Sequence, residues 1–248
     1  MNKVNIITLF LSIKARIQTN NSVFMTQQNT LTVQNLHCTR GDRTLFDKLN
    51  IEVSSGQCLH IMGANGCGKT SLLRILSGLN TPDDGDVYWN QSIIKGNQDY
   101  LSNSTFIGHK DGLKNELTAI ENLRFNQQLN ALSTSNENQL DDCLNQMQIL
   151  RCADLLAQQL SFGQRRRLSF AKLLLRPFKI WILDEPFTGI DKNGRAIIEN
   201  ICLNHLNDGG IIILTHHQEL NKSALKPFLS EFELDQHIQN TQKVKPNE

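Results

Sequence analysis

The chain has 248 residues, with 25 Lys plus Arg against 24 Asp plus Glu and a formal net charge of +1. That balance excludes a polyanion-coating protein, which needs a strong basic excess, so no nucleic acid partner is expected. A hydrophobic fraction of 39%, charged residues at 20% and a mean hydropathy of -0.33 exclude an integral membrane protein and a globally disordered one.

Residues 6–13 (IITLFLSI) are apolar, with Lys3 before them and Lys14 and Arg16 after. The run is far shorter than the roughly 20 residues a bilayer span needs, and no small-residue cleavage site follows. Residues 1–25 are therefore expected to be a dispensable extension, either from a misassigned start codon or disordered. Residues 31–36 (LTVQNL) alternate apolar and polar and read as a strand, as do residues 49–53. Residues 58–62 (CLHIM) suit a short buried strand, broken at 63–68; Leu72, Leu73, Leu76 and Leu79 then recur at helical spacing. Residues 78–85 (GLNTPDDG) read as a loop and 87–89 as a short strand.

From 117 to 175 the apolar period is helical. Thr118 with Glu121, and Thr134 with Glu137, read as capping boxes, and Leu140, Cys143, Leu144 and Met147 form one stripe. After Pro177 the alternation resumes: strand 180–183, helix 196–206, strand 211–214. Alternating strands and helices predict an α/β fold with a parallel sheet, here interrupted by a helical insertion at about 112–175. One domain over 26–240 and a polar tail at 241–248 are expected. The six cysteines form no CxxC pair and no zinc-like spacing, so they read as reduced thiols.

Three motifs carry chemistry. Gly63-Ala-Asn-Gly-Cys-Gly-Lys-Thr70 fits G-x-x-x-x-G-K-[ST] between a strand and a helix. Glycines let successive N–H groups converge on an anion, and the helix start adds positive potential. Lys69 reaches the β- and γ-phosphates, and Thr70 offers a hydroxyl to Mg²⁺. Cys67 sits near the helix start, a setting that lowers a thiol pKa, though it also suits a small space-filler. The strand 180–185 (IWILDE) ends in two acids: Asp184 can hold the metal shell, and Glu185 can accept the proton of an attacking water or orient it. Residues 160–167 (LSFGQRRR) combine a capping box, Ser161 with Gln164, with three arginines that oppose the helix dipole. Those arginines imply a nearby anion.

In their order, these motifs resemble the nucleotide-binding subunits of ABC transporters over roughly residues 30–235. Residues 63–70 resemble Walker A, 180–185 Walker B with its glutamate, and 160–164 the signature motif. Residues 189–191 resemble the D-loop, and His216-His217 the switch region. The resemblance implies a P-loop ABC ATPase domain with a mixed or parallel core sheet, an antiparallel β subdomain and a helical subdomain. It implies that ATP is held by Gly63, Ala64, Asn65, Gly66, Cys67, Gly68, Lys69, Thr70 and Ser71. Arg40 stands at the base-stacking position, and its planar guanidinium can stack. Mg²⁺ falls to Thr70 and Asp184, and catalysis to Glu185, Lys69 and His217, with His216 as the alternative switch residue. Two copies are implied to sandwich ATP head to tail, with Ser161, Gly163 and Gln164 contacting the nucleotide of the other copy. A membrane permease is the implied partner, which places the chain peripherally on the cytoplasmic face of the inner membrane.

The sequence departs from the pattern at Phe162, where small residues are usual, and at Lys110, where a glutamine is usual. Within the family, residues 43–46, 107–123, 181–188 and 209–215 resemble the haem-export ATPases of cytochrome c biogenesis. An ABC ATPase for another substrate, or a soluble one, is the alternative. His37, His60, His109 and His205 are scattered without a CxxCH motif, so no haem site is expected in this chain.

Overall fold

A computed structural model describes residues 28–129, 137–217, 220 and 223–237. The expected extension at 1–25, the capping box at 134–137 and the tail at 241–248 lie wholly or partly outside the described residues. Nine strands form two sheets among the described residues. The first is antiparallel, ordered β2-β1-β4-β5: β1 Thr30–Arg40, β2 Arg43–Ser54, β4 Asp84–Trp89 and β5 Ser92–Ile93. The second is parallel, ordered β6-β7-β8-β3-β9: β3 Cys58–Met62, β6 Ser104–Ile107, β7 Ile180–Asp184, β8 Ile211–Thr215 and β9 Leu229–Glu233.

β7 and β8 are buried at every position, the signature of a sheet covered on both faces. Their side chains alternate between two cores. Ile180, Ile182, Ile211 and Ile213 face the antiparallel sheet and helix α1 (Lys69–Leu76). Trp181, Leu183, Ile212 and Leu214 face the helices that follow. Each such side chain contributes about 1.5–3 kcal/mol of burial, which holds the strand tips in place. A short helix α2 (Gln98–Asn103) precedes β6.

The helical stretch contains α3 (Ala119–Leu129), α4 (Glu137–Gln146) and α5 (Phe162–Ala171). The Thr118–Glu121 box forms as expected, with both reciprocal bonds made, at 2.8 and 3.2 Å. The stripe of Leu140, Cys143, Leu144 and Met147 is buried. Helix α6 (Lys192–Asn207) lies between β7 and β8 in sequence. No helix among the described residues is long and apolar enough to cross a membrane.

Candidate active site

The glycine loop leaves the tip of β3 and enters α1 at Lys69. Gly68 caps that helix at φ +116°, a conformation that strains any other residue, and a Cβ there would lie a tight 3.1 Å from the Leu45 Cβ. Lys69 folds back over the loop, its Nζ donating to the carbonyls of Gly63 (2.6 Å) and Ala64 (3.0 Å). The Ala64 N–H donates to Asp235 Oδ2 at 2.6 Å, in a short turn (Leu234–His237) after β9. Nothing local in the sequence marks Asp235. At Cys67 the thiol is pushed up by burial, which outweighs the nearby Lys69, and its sulfur fills the space in front of Gly63. Of its two readings, the space-filler is the one this setting matches.

Three adjoining strand tips complete the site. Asp184 Oδ2 accepts from Thr70 Oγ1 (3.0 Å) and Oδ1 from Thr215 Oγ1 (2.8 Å). The same Thr215 oxygen accepts from the Glu185 N–H (3.1 Å). Glu185 sits at φ +52°, a left-handed conformation costly for a side-chain-bearing residue. Its Oε2 accepts from Thr188 Oγ1 (3.0 Å) and faces His216 Nδ1 (3.3 Å), while Oε1 faces His217 Nε2 (3.2 Å). Burial alone would raise the Glu185 pKa, but the bonds from His216 and Thr188, and His217 beside it, hold it below the usual carboxylate value.

Both histidines thus touch Glu185, and their settings differ. His216 is buried, lies edge-on to Phe187 at 5.5 Å, and its carbonyl accepts from His60 Nε2 at 3.1 Å. Burial holds the His60 pKa below its usual value, so that ring stays neutral. The His217 side chain is half-exposed and reaches open space.

That space is a cavity of about 470 Å³. Its walls bring together Asn65, Gly66, Gly68, Lys69, Thr70 and Ser71 with Asp184, Glu185 and His217. Arg40 and Arg43, opposite one another where the β1–β2 hairpin turns, form a further wall, so Arg43 is a site residue that sequence reasoning missed. His109 also lines the cavity. Lys110 does not; it lines an adjoining groove of about 750 Å³ that shares Thr70, His109 and Asp184 with the cavity and runs past Arg74, Leu101 and Lys172. The donor set suits Mg²⁺: a hydroxyl and a carboxylate 3.0 Å apart are hard oxygen ligands. The glycine-rich loop at a helix start suits a phosphate.

Ser161, Gly163 and Gln164 stand apart from this cavity. Ser161 and Gln164 form the expected capping box: Ser161 Oγ accepts from the Gln164 N–H, and Gln164 Oε1 accepts from the Ser161 N–H (2.8 Å). Gln164 Nε2 lies 3.4 Å from Cys152 Sγ, so both ends of that amide are engaged within the chain. Phe162 is exposed, with its ring over Gly189, where a Cβ would sit 2.2 Å from the ring. The three arginines correct another expectation, for none of them waits for an anion. Arg165 meets Asp111, Asn115 Oδ1 and the Ala157 carbonyl. Arg166 is buried on backbone carbonyls, and Arg167 donates to the carbonyls of Met147 and Gln148.

The fold and this cavity define a P-loop nucleotide-binding domain. The ABC transporter family model matches residues 46–188. The chain is 44% identical over 191 residues to the cytochrome c biogenesis ATP-binding export protein CcmA of Aliivibrio fischeri, covering 77% of this chain and 93% of that protein. It is 45% identical over 203 residues to the CcmA of Haemophilus influenzae, covering 82% and 95%. Among solved structures, an ABC transporter ATP-binding protein from Pyrococcus furiosus superposes with a TM-score of 0.72 at 22% identity, covering 84% of this chain and 99% of that one. A bacterial ABC transporter cassette solved as a dimer superposes with a TM-score of 0.69 at 22% identity, covering 82% and 94%. The chain belongs to the ABC transporter family and, within it, to the cytochrome c biogenesis ATP-binding export proteins. Membership of that family carries nucleotide binding with it.

Proposed function

We propose that the chain is the ATP-hydrolysing subunit of an export system for cytochrome c biogenesis. The observation that carries this reading is the Glu185 carboxylate at the wall of a cavity that also holds Lys69 and Asp184. Gly63 to Gly68 and the first amides of α1 cradle the phosphates of ATP, with Ala64, Cys67 and Ser71 completing the loop. Lys69 turns from its own loop carbonyls to the phosphates. Thr70 and Asp184 would hold Mg²⁺, which when bound would supply positive charge at the phosphates. Glu185 accepts the proton of the attacking water or orients it. His217 holds the open side of that carboxylate, and Arg40 stacks on the base.

A second copy supplies Ser161, Gly163 and Gln164 across the nucleotide. The exposure of Ser161 and Phe162 at the start of α5, apart from their own chain's cavity, supports this. A membrane permease docks in the groove beside Lys110, which places the chain on the cytoplasmic face of the inner membrane. The test is sedimentation of native membranes, with and without the genes of the membrane subunits. The chain is expected in the pellet, released by high salt, and in the supernatant when the subunits are deleted. A chain that stays in the supernatant with all subunits present contradicts the partner assignment.

A further inference from the structure

Arg166 is 2% exposed, and its guanidinium is used almost wholly on backbone carbonyls. Its Nη2 donates to the carbonyls of Asp184 and Glu185, both at 2.9 Å. Its Nη1 donates to the Gly108 carbonyl (2.9 Å), and its Nε lies 3.4 Å from the Pro186 carbonyl. Asp111 Oδ1 lies 3.9 Å from Nη1 and supplies the nearest opposite charge. A buried cation satisfied by main-chain oxygens has one geometric consequence: it fixes the peptide planes whose oxygens it binds. Guanidinium is suited to this because its five donors lie in one rigid fork.

The peptide planes held here are those of the catalytic strand tip. Glu185 occupies the left-handed region at φ +52° without being glycine. Such a conformation persists only where the surroundings over-determine it. Two groups do so: Thr215 Oγ1 takes the Glu185 N–H, and Arg166 takes the carbonyls on either side of the Glu185 N–Cα unit. The same guanidinium holds Gly108, immediately before His109, which lines both the nucleotide cavity and the groove.

We infer that Arg166 is a positioning residue for Glu185, holding its carboxylate where it can meet the attacking water by clamping the strained backbone at the end of β7. It does not contact nucleotide. Its place on α5, four residues into the helix that begins at the signature motif, ties that helix rigidly to the strand tip and to residue 108. The inference rests on the reading of Glu185 as the group that handles the attacking water.

The experiment is Mg²⁺-ATP turnover by the purified full chain carrying Arg166→Lys, with Arg166→Gln as a second variant. Lysine keeps the charge but loses the fork, so it cannot clamp three peptide planes at once. The expected result is a kcat reduced on the order of a hundredfold, the scale that follows from misplacing a reacting group by about 1 Å. The affinity for a fluorescent ATP analogue should stay within about threefold of wild type, because the glycine loop does not touch Arg166. In a Glu185→Gln background, Arg166→Lys should change the residual rate by less than about twofold, as two residues acting through one step do. Turnover near wild type in Arg166→Lys overturns the inference. So do a loss of binding that matches the loss of rate, effects that multiply in the double variant, or failure of both variants to unfold cooperatively, which would make Arg166 a purely structural residue. If Glu185→Gln itself turns over at the wild-type rate, the reading of the site falls and the inference with it. If Glu185→Gln is inactive while Arg166→Lys is fast, the inference alone falls.

Discussion

Two short segments of this chain carry dense motifs, and they are built in opposite ways. Residues 63–70 turn their chemistry outward: the loop backbone, the Lys69 ammonium and the Thr70 hydroxyl line an open cavity with the β7 tip. In residues 160–167 it is the arginines that turn inward, onto Asp111 and main-chain carbonyls, while Ser161 and Gln164 cap the exposed start of their own helix. A cluster of positive side chains is thus no guide to an anion site by itself. A buried guanidinium bonded to carbonyls holds elements together, whereas a lysine at the mouth of a glycine loop can move to a phosphate.

The comparison can be broken most sharply at Lys69. Lys69→Ala removes the mobile cation of the outward-facing segment, and ATP affinity measured by equilibrium binding should fall on the order of a hundredfold, as loss of a charge-assisted bond of up to about 3 kcal/mol predicts. Unchanged affinity would mean that the loop does not hold the phosphates. At Arg165 the opposite pattern is expected. Its bonds to Asp111, Asn115 and Ala157 are partly buried, so Arg165→Gln should cost about 1–2 kcal/mol of stability and lower the melting temperature by roughly 2–8 °C. ATP affinity should stay within twofold. A selective loss of ATP affinity would restore the anion-site reading of the arginines.

Outside both segments, His205 provides the smallest expected effect. Its ring stacks on Trp181 at 3.8 Å, and burial lowers its pKa to about 4. The folded chain therefore resists a proton that the unfolded chain accepts below about 6.5. This contribution to stability is present above about pH 6.5 and is lost as pH falls from there toward 4. Melting temperature should decline over that window, and His205→Phe should flatten part of the decline. An identical decline in His205→Phe would refute a role for this ring.

What the sequence reveals and what it hides follow the same division. The glycine loop, the apolar strand ending at Asp184 and Glu185, and the Ser161–Gln164 cap are local patterns, and each is found where its spacing predicts. Strand β9 (LSEFE) was hidden because it is short and mostly exposed or half-exposed, with no apolar run to mark it. Asp235, 171 positions from the Ala64 N–H that it binds, is invisible to any local pattern. By resemblance Lys110 stands at the glutamine position, yet it is His109, next to the Arg166-bound Gly108, that lines the cavity. The partners of the arginines likewise depend on how the helices pack on the sheet, which spacing along the chain does not encode.

The central claim is that Glu185 activates the water that attacks ATP at the loop of residues 63–70. It is tested most directly by single-turnover hydrolysis of Mg²⁺-ATP by Glu185→Gln, with nucleotide binding and assembly state followed in parallel. The account predicts hydrolysis slowed by about 10²–10⁴-fold, ATP bound as tightly as by wild type, and a dimer that persists while ATP is present. Hydrolysis at the wild-type rate by this variant would contradict it.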